Sequence, residues 1–155
     1  MALAQVEPGM QTLEPSAGEG AIAQALAAVT KVDCVELDAK RADVLRADGY
    51  ARQVQQTDFL GVTPAPIYHR ILMNPPFKHQ TDIHHVLHAL GFLAQGGVLV
   101  SVMSAGVTFR ANTLTEDFRA LVERRGGFIE PLPENAFKDS DTLVRTIVVV
   151  VPAIR

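Results

Sequence analysis

The sequence predicts an α/β fold in which helices cover both faces of one mainly parallel, seven-stranded sheet. Apolar segments short enough to be buried strands alternate with segments of helical periodicity, which is the pattern of a parallel sheet. The last two apolar segments have no helix between them, so we expect them to pair as a C-terminal antiparallel hairpin. A chain of 155 residues suits one core, and we therefore expect residues 1–155 to form a single domain.

Apolar periodicity and turn residues define the elements of the first half. Residues 32–37 form an apolar run closed by acids, and residues 40–47 place Leu and Val at helical spacing among charges. The run 68–73 ends at two prolines, which cannot donate to a sheet ladder. The predicted elements are strand Met10–Leu13, helix Ala21–Val29, strand Val32–Leu37, helix Lys40–Ala47, strand Arg52–Gln55 and strand Tyr68–Met73.

The second half continues the alternation. Residues 82–93 carry an apolar stripe at helical spacing, and the pair Gly96-Gly97 is expected to turn the chain into the next strand. A second amphipathic segment ends at Gly126-Gly127, which is typical of a helix C-terminus. The predicted elements are helix Asp82–Leu93, strand Val98–Met103, loop Ser104–Thr113, helix Leu114–Arg125, strand Phe128–Leu132, loop Pro133–Leu143 and strand Arg145–Val151.

Composition indicates an ordinary globular protein. Hydrophobic residues make up 48% and charged residues 20%, and no apolar run is long enough to span a bilayer. The N-terminus lacks a charged segment followed by a long apolar stretch, so we expect no signal peptide. Cys34, the only cysteine, is expected to be a buried thiol, which fits a cytoplasmic location. The net charge of −3 argues against a strong stand-alone grip on nucleic acid.

A glycine-rich segment joins the first predicted strand to the first helix. Gly18 and Gly20 allow positive φ and close approach of the backbone to a ligand. With Ala23 they satisfy a dinucleotide-binding pattern, and acids at Glu36 and Asp38 follow one helix and one strand later. These residues alone are also compatible with NAD binding or with a tight turn that binds nothing.

The wider string, Glu-Pro-Ser-Ala-Gly-x-Gly, resembles the first motif of class I S-adenosylmethionine-dependent methyltransferases, in the form typical of the adenine-N6 group. That family has a Rossmann-like fold. Its second motif resembles Glu36-Leu37-Asp38, which implies that Glu36 binds the ribose hydroxyls and Leu37 packs on adenine. Asp58-Phe59 resembles the next motif, whose carboxylate accepts from the adenine amino group. Asp38 and Asp58 also suit a helix cap and a turn. The resemblance implies cofactor contacts at Glu14, Pro15, Ser16, Ala17, Gly18, Gly20, Glu36, Leu37, Asp58, Phe59 and Asn74.

Asn74-Pro75-Pro76-Phe77 follows the fourth predicted strand and resembles the fourth motif of the same family. A rigid turn that caps the strand is the alternative. The motif suits methylation of a planar amino group whose lone pair is drawn into a ring. The Asn74 side-chain carbonyl and the Pro75 backbone carbonyl can each accept one N–H, and they stabilise positive charge that grows on the nitrogen. Phe77 offers a flat face to an extruded base.

The resemblance implies an N-methyltransferase, most like those that act on adenine N6 in DNA. A base amine in ribosomal RNA and a glutamine side-chain amide in a protein are neighbouring substrates with similar chemistry. A partner subunit that keeps the fold without catalysis is the alternative from another class. Lys78, Arg110 and Phe137 are the candidate substrate-binding residues, although solvated surface charge also explains the two cations.

Two further expectations concern what accompanies the motifs. Only nine residues precede Met10, and no segment is large enough for a separate target-recognition domain. We therefore expect a protein partner or a second copy of the chain to supply specificity, or specificity to be loose, or the chain to be a truncated or inactive relative. Three histidines, His84, His85 and His88, lie in one helix without a cysteine or a Glu-x-x-His partner, so we expect surface histidines and no metal site.

Overall fold

The computed structural model describes residues 2–133 and 145–154. Within them, seven strands form one sheet. The strands are β1 (Thr12–Pro15), β2 (Val32–Glu36), β3 (Ala51–Gln56), β4 (Tyr68–Met73), β5 (Leu93–Ser104), β6 (Phe128–Pro131) and β7 (Thr146–Pro152). The α-helices of this part are α1 (Ala21–Leu26), α2 (Ala39–Asp48), α3 (Thr81–Ala89) and α4 (Thr113–Arg124). None of these helices is both long and apolar enough to cross a membrane.

The sheet has the order β3-β2-β1-β4-β5-β7-β6. Strands β3, β2, β1, β4 and β5 are parallel, whereas β7 pairs antiparallel with β5 and with β6. The predicted mainly parallel sheet with an antiparallel C-terminal pair is therefore confirmed. The chain runs outward from β1 to β3 and then returns to place β4 on the other side of β1. Such a reversal opens a crevice at the carboxyl ends of β1 and β4, where ligands commonly bind.

Helices on the two faces bury two apolar clusters. The cluster beneath α3 and α4 includes Ile83, Val86, Phe118 and Val122, each at most 2% exposed. The cluster beneath α1 and α2 includes Ala23, Leu26, Leu45 and Cys34. Cys34 is a buried free thiol, as the sequence predicts. The two layers hold the sheet rigid, so the loops at its carboxyl end project from a fixed base.

The structure corrects several predicted boundaries. Strand β5 begins at Leu93 rather than after Gly96-Gly97, because Gly96 takes φ 73° at an irregularity where the pairing with β4 shifts register. Helix α3 ends at Ala89 and continues as a 3₁₀ turn to Phe92. Helix α1 ends at Leu26, three residues early, and β1 lies two residues later than predicted. These shifts leave the order of the elements unchanged.

A partly buried ion pair, together with a tyrosine hydroxyl, joins β2, β3 and β4 near the starts of β3 and β4. The Asp33 carboxylate is 3% exposed and accepts two hydrogen bonds from the Arg52 guanidinium, at 2.8 and 2.6 Å. The Tyr68 hydroxyl donates to the same carboxylate at 2.8 Å. The hydrogen bonds to Asp33 raise the pKa of Arg52, and burial raises the pKa of Tyr68. These contacts link three strands whose residues are up to 35 positions apart in sequence.

Candidate active site

A cavity of about 2080 Å³, lined by residues that the structure describes, lies at the carboxyl ends of β1, β2 and β4. Its walls come from the loops that follow these strands, together with residues of α3 and β7. The fold thus brings together segments that are up to 133 residues apart in sequence, from Glu14 to Ile147. The predicted site residues that line the cavity are Glu14, Ser16, Ala17, Gly18, Glu36, Leu37, Asp58, Phe59, Asn74, Pro75, Pro76 and Phe77.

The loop between β1 and α1 is tightly curved. Ser16 and Gly18 both take φ 58°, and the Ala17 N–H donates to the Val35 carbonyl at 2.9 Å. Gly20 takes φ 82°, and a Cβ there would lie 2.5 Å from the Leu45 side chain. Gly20 is therefore required for packing of the loop on α2, and neither it nor Pro15 lines the cavity.

Glu36 organises this loop from the end of β2. Its side chain is 7% exposed, and one oxygen accepts from the Gly18 N–H at 2.6 Å. The other oxygen accepts from the Asp38 N–H at 2.9 Å. A carboxylate has about four acceptor positions, so each oxygen keeps one for a ligand. The arrangement suits a pair of adjacent hydroxyl groups.

Glu14 is the second carboxylate of the cavity and is 3% exposed. It accepts from the Ala23 N–H at 3.0 Å, and the Cys34 thiol lies 3.8 Å away. Burial raises the pKa of Glu14 to about 7, from a usual value of 4.5. Glu14 is therefore partly protonated near neutral pH, which limits the charge that the cavity holds.

This pKa shift predicts a pH dependence of stability. Protonated Glu14 contributes stability that is fully present below pH 4.5 and is lost as the pH rises through about 7. Relative to Glu14→Gln, the wild type should lose about 1–3 kcal/mol of unfolding free energy between pH 4.5 and pH 8. Urea titrations at several pH values measure this difference, with Glu19→Gln in the same loop as the control. Parallel pH profiles of the wild type and Glu14→Gln would contradict the shift.

Two exposed leucines line the cavity. Leu37, after β2, is 65% exposed, and Leu60, after β3, is 40% exposed. Phe59, directly before Leu60, is 3% exposed, and its ring packs in the core against Phe92. Asp58 accepts from the Leu60 N–H at 3.0 Å, so the turn role that the sequence allows is present at the cavity wall. Asp38 caps α2 by accepting from the Arg41 N–H at 2.9 Å, as predicted.

Asn74-Pro75-Pro76-Phe77 forms the wall that follows β4. Ladder pairing ends at Met73, which is expected because two prolines follow. The Asn74 side chain is exposed in the cavity and has no hydrogen-bond partner within the described part of the chain. Phe77 is partly exposed and lines the same cavity. An unpaired amide and an aromatic face are therefore available to a ligand.

The prediction of surface histidines is wrong for His85, and His88 is partly exposed. His84 is exposed, but His85 is 6% exposed and lines the cavity. The His85 Nδ1 lies 2.9 Å from the Thr81 carbonyl, and the His88 Nε2 lies 2.9 Å from the Val62 carbonyl. A carbonyl only accepts, so each of these nitrogens carries a proton and donates. Across the ranges 2–133 and 145–154, no cluster of three potential metal ligands occurs.

The candidate substrate-binding cations differ in position. Lys78 is exposed directly after Phe77. Arg110 does not line the cavity; its Nη1 is buried, and its guanidinium packs so closely on Gly106 that a Cβ there would lie 2.5 Å away. Burial raises the pKa of the Asp82 carboxyl, and the positive charge of Arg110 acts against this rise. The position of Arg110 favours a structural role. Phe137 lies outside the described residues.

Several cavity residues were not predicted from the sequence. Arg41 on α2 projects from the helix that follows Leu37, and Thr81 opens α3. Arg41 occurs within an ordinary surface helix, so no local signal marks it. The remaining unpredicted residues on the far side come from the end of β5 and from β6 and β7, and they include Val102, Ala105, Thr108, Ile129, Pro131, Thr146 and Ile147.

Comparison with known proteins detects no matching family model and no similar curated protein. Solved structures are similar. A putative class I S-adenosylmethionine-dependent methyltransferase from Listeria monocytogenes has a TM-score of 0.77 at 12% identity, covering 99% of this chain and 56% of its own. The M protein of the type I restriction enzyme EcoKI has a TM-score of 0.73 at 16% identity, covering 99% of this chain and 41% of its own. The 23S rRNA methyltransferase ErmE has a TM-score of 0.71 at 21% identity, covering 99% of this chain and 65% of its own.

These similarities establish the fold. The chain has the Rossmann-like fold of class I methyltransferases, with the seven-stranded order described above. It spans between 41% and 65% of the length of these three proteins. Fold alone does not assign chemistry, which has to be argued from the residues of the cavity.

Proposed function

We propose that this chain is an S-adenosylmethionine-dependent methyltransferase that acts on an exocyclic amino group, with adenine N6 in DNA as the substrate. The observation that carries the proposal is the shared cavity. The exposed and unpaired Asn74 amide lies in it together with Glu36 and the Gly18 loop. Acceptors for a target amine and acceptors for a nucleoside therefore open onto one space.

The cofactor half of the cavity presents hydrogen-bond acceptors and apolar side chains that fit S-adenosylmethionine. Glu36 offers acceptor positions to the two ribose hydroxyls, and its bonds to the Gly18 and Asp38 amides fix its orientation. Leu37 and Leu60 present exposed apolar surface that an adenine ring would cover. Asp58 lies beside them and can accept from an exocyclic amine. When bound, S-adenosylmethionine supplies an electrophilic methyl group.

The chemistry of the other half depends on Asn74 and Pro75. The Asn74 side-chain carbonyl and the Pro75 carbonyl accept the two N–H groups of the target amine, which reduces the withdrawal of its lone pair into the ring. Both carbonyls also stabilise the positive charge that develops on the nitrogen. Prolines 75 and 76 restrict the backbone, so the acceptors need little reordering when substrate binds. Phe77 stacks on the extruded base.

The rim of the cavity favours a nucleic acid over a small molecule. Phe109, one residue after the cavity-lining Thr108, is 73% exposed, and Lys78 is exposed after Phe77. An aromatic ring and a cation beside a base pocket suit a neighbouring nucleotide. Two of the similar structures are described as a restriction-enzyme M protein and a 23S rRNA methyltransferase, which supports a base as the substrate class.

Cofactor binding provides the first test of the proposal. Glu36→Gln replaces one acceptor oxygen by a donor that faces a backbone N–H, and it removes an acceptor for the ribose. Its affinity for S-adenosylmethionine should fall by about 1–3 kcal/mol, or roughly 5- to 150-fold. Isothermal titration calorimetry measures the loss, and NAD should give no binding heat.

Asp38→Asn is the matched control, because Asp38 caps α2 two residues away and does not line the cavity. It should bind S-adenosylmethionine as the wild type does. Equal affinity in the wild type and Glu36→Gln would overturn the assignment of Glu36, and binding of NAD in place of S-adenosylmethionine would overturn the cofactor.

A further inference from the structure

The turn that follows Phe77 has an unusual backbone. His79 and Gln80 take φ 55° and 58°, so two consecutive residues with a Cβ lie in the left-handed region. Residues with a Cβ rarely adopt this region, and the energetic cost persists only where neighbouring contacts hold it. The turn therefore needs an external restraint to keep its shape.

Gln80 supplies that restraint through its side chain. Its Oε1 accepts from the Asn112 Nδ2 at 3.1 Å and lies 2.8 Å from the Thr115 hydroxyl, whose single proton has the Asn112 Oδ1 at 3.0 Å as its other acceptor. Asn112 also caps α4, since its Oδ1 accepts from the Thr115 N–H at 3.0 Å. Thr115 is fully buried. We refer to Gln80, Asn112 and Thr115 as the amide clamp.

The start of α3 is fixed by two further contacts. The Thr81 hydroxyl donates to the Lys78 carbonyl at 2.6 Å, which closes the turn on itself. Asp82, fully buried, accepts from the Ser104 N–H at 3.0 Å and so ties α3 to the end of β5. The start of α3, after the turn, is thus anchored to the sheet. The amide clamp links the turn itself to α4.

The position of this turn determines what it controls. Asn74 is continuous with β4, and prolines 75 and 76 have fixed φ. The remaining backbone freedom between β4 and α3 is therefore concentrated in residues 77–80. Phe77 and the Pro75 carbonyl can be placed reproducibly only if this stretch is held.

We propose that the amide clamp positions the Asn74–Phe77 segment for reaction, and that Gln80, Asn112 and Thr115 are positioning residues of the active site. The inference rests on the proposed function for its kinetic consequence. Two of its three residues, Asn112 and Thr115, lie at the N-terminus of α4, more than thirty residues after Phe77, and the clamp acts without contacting the substrate. Loosening it should slow methyl transfer while the cofactor half of the cavity is unaffected.

Two variants open the clamp by different routes. Thr115→Val keeps the buried shape and removes the hydroxyl donor. Asn112→Ser keeps a helix-capping oxygen but is too short to reach Gln80. Each should lower the single-turnover rate at saturating substrate about 10-fold, with less than 2-fold change in cofactor affinity. Thr115→Ser, which retains the hydroxyl, should restore the rate.

Thr113→Val is the matched control, because Thr113 is exposed in the first turn of the same helix. It should change neither the rate nor the turn. Val122→Ala, in the core beneath α4, controls for loss of stability without loss of the clamp. If Val122→Ala lowers the rate as much as Thr115→Val at equal thermal destabilisation, the clamp has no specific role.

Amide hydrogen exchange tests the clamp independently of catalysis. The Thr81 N–H donates to the Lys78 carbonyl across the turn, so its exchange reports the closed form. Exchange there should be about 10-fold faster in Thr115→Val and Asn112→Ser, and unchanged in Thr113→Val. Wild-type exchange and wild-type rates in both variants would overturn the proposal. If the wild type methylates no substrate but the exchange increases as expected, the proposed function fails and the clamp stands.

Discussion

Replacing Asn74 by alanine should lower the single-turnover rate of methyl transfer by about 10²–10³-fold, because it removes one of two acceptors aimed at the target nitrogen. The contribution of this acceptor grows as positive charge develops, and loss of one preorganised group of this kind has an effect of that size in other enzymes. The Asn74 side chain makes no hydrogen bond within the described residues, so its removal should leave the fold intact.

The measurement is transfer of labelled methyl to adenine-containing DNA, with cofactor affinity determined in parallel by calorimetry. Asn74→Ala should bind S-adenosylmethionine within a few-fold of the wild type. Wild-type transfer by Asn74→Ala would return the Asn-Pro-Pro-Phe segment to the role of a rigid turn.

Phe77 should respond differently from Asn74, since stacking acts before and during the reaction. Phe77→Ala should weaken productive substrate binding by about 1–3 kcal/mol, and Phe77→Tyr, which keeps the ring, should be largely tolerated. The effect of Phe77→Ala should appear in the substrate concentration needed for half-maximal rate. An unchanged concentration dependence would remove Phe77 from the substrate site.

Loss of the Arg52 guanidinium should be the most destabilising change outside the cavity. Arg52→Met keeps an apolar stem and leaves the Asp33 carboxylate, 3% exposed, with only the Tyr68 hydroxyl. Uncompensated burial of a charge predicts a loss of about 3 kcal/mol of unfolding free energy, at the lower end of the usual range because the Arg52 side chain is 43% exposed. Equilibrium urea unfolding measures the loss.

Arg46→Met provides the comparison. Arg46 pairs with Asp43 at 3.0 Å on α2, but both side chains are well exposed, at 48% and 77%. This variant should lose less than about 0.5 kcal/mol. Equal stabilities of Arg46→Met and Arg52→Met would show that the Asp33 network does not hold the three strands together.

Local sequence patterns, namely apolar periodicity and turn residues, predicted the fold class and the order of its elements. The order of strands and helices followed from apolar periodicity and turn residues, and Tyr68–Met73 has the predicted bounds because prolines end the ladder. The register irregularity at Gly96 was missed, since a glycine pair before a strand signals a turn as readily as a bulge. The order in which the strands pair was not predicted, because the periodicity of a strand does not specify its neighbours in the sheet.

The site was predictable where its residues form contiguous motifs. Glu36 and the segment Asn74–Phe77 line one cavity because Glu36 ends one parallel strand and Asn74 follows another, and the carboxyl ends of parallel strands meet at the same edge. His85 was assigned to the surface because an apolar stripe gives no measure of how its flanks pack. Arg110 was taken for a substrate cation, since nothing in the sequence indicates that Gly106 leaves room for its guanidinium. The amide clamp is a tertiary arrangement without a sequence signal.

The most direct test of the account is nucleoside mass spectrometry of DNA and RNA incubated with the protein and S-adenosylmethionine labelled on its methyl group. The wild type should produce labelled N6-methyladenosine, as its deoxy form from DNA, and Asn74→Ala should not. Labelled product in RNA alone would show that the substrate is RNA rather than DNA, with the same chemistry. Absence of labelled nucleosides from both nucleic acids, in a protein that binds S-adenosylmethionine, would contradict the proposed function.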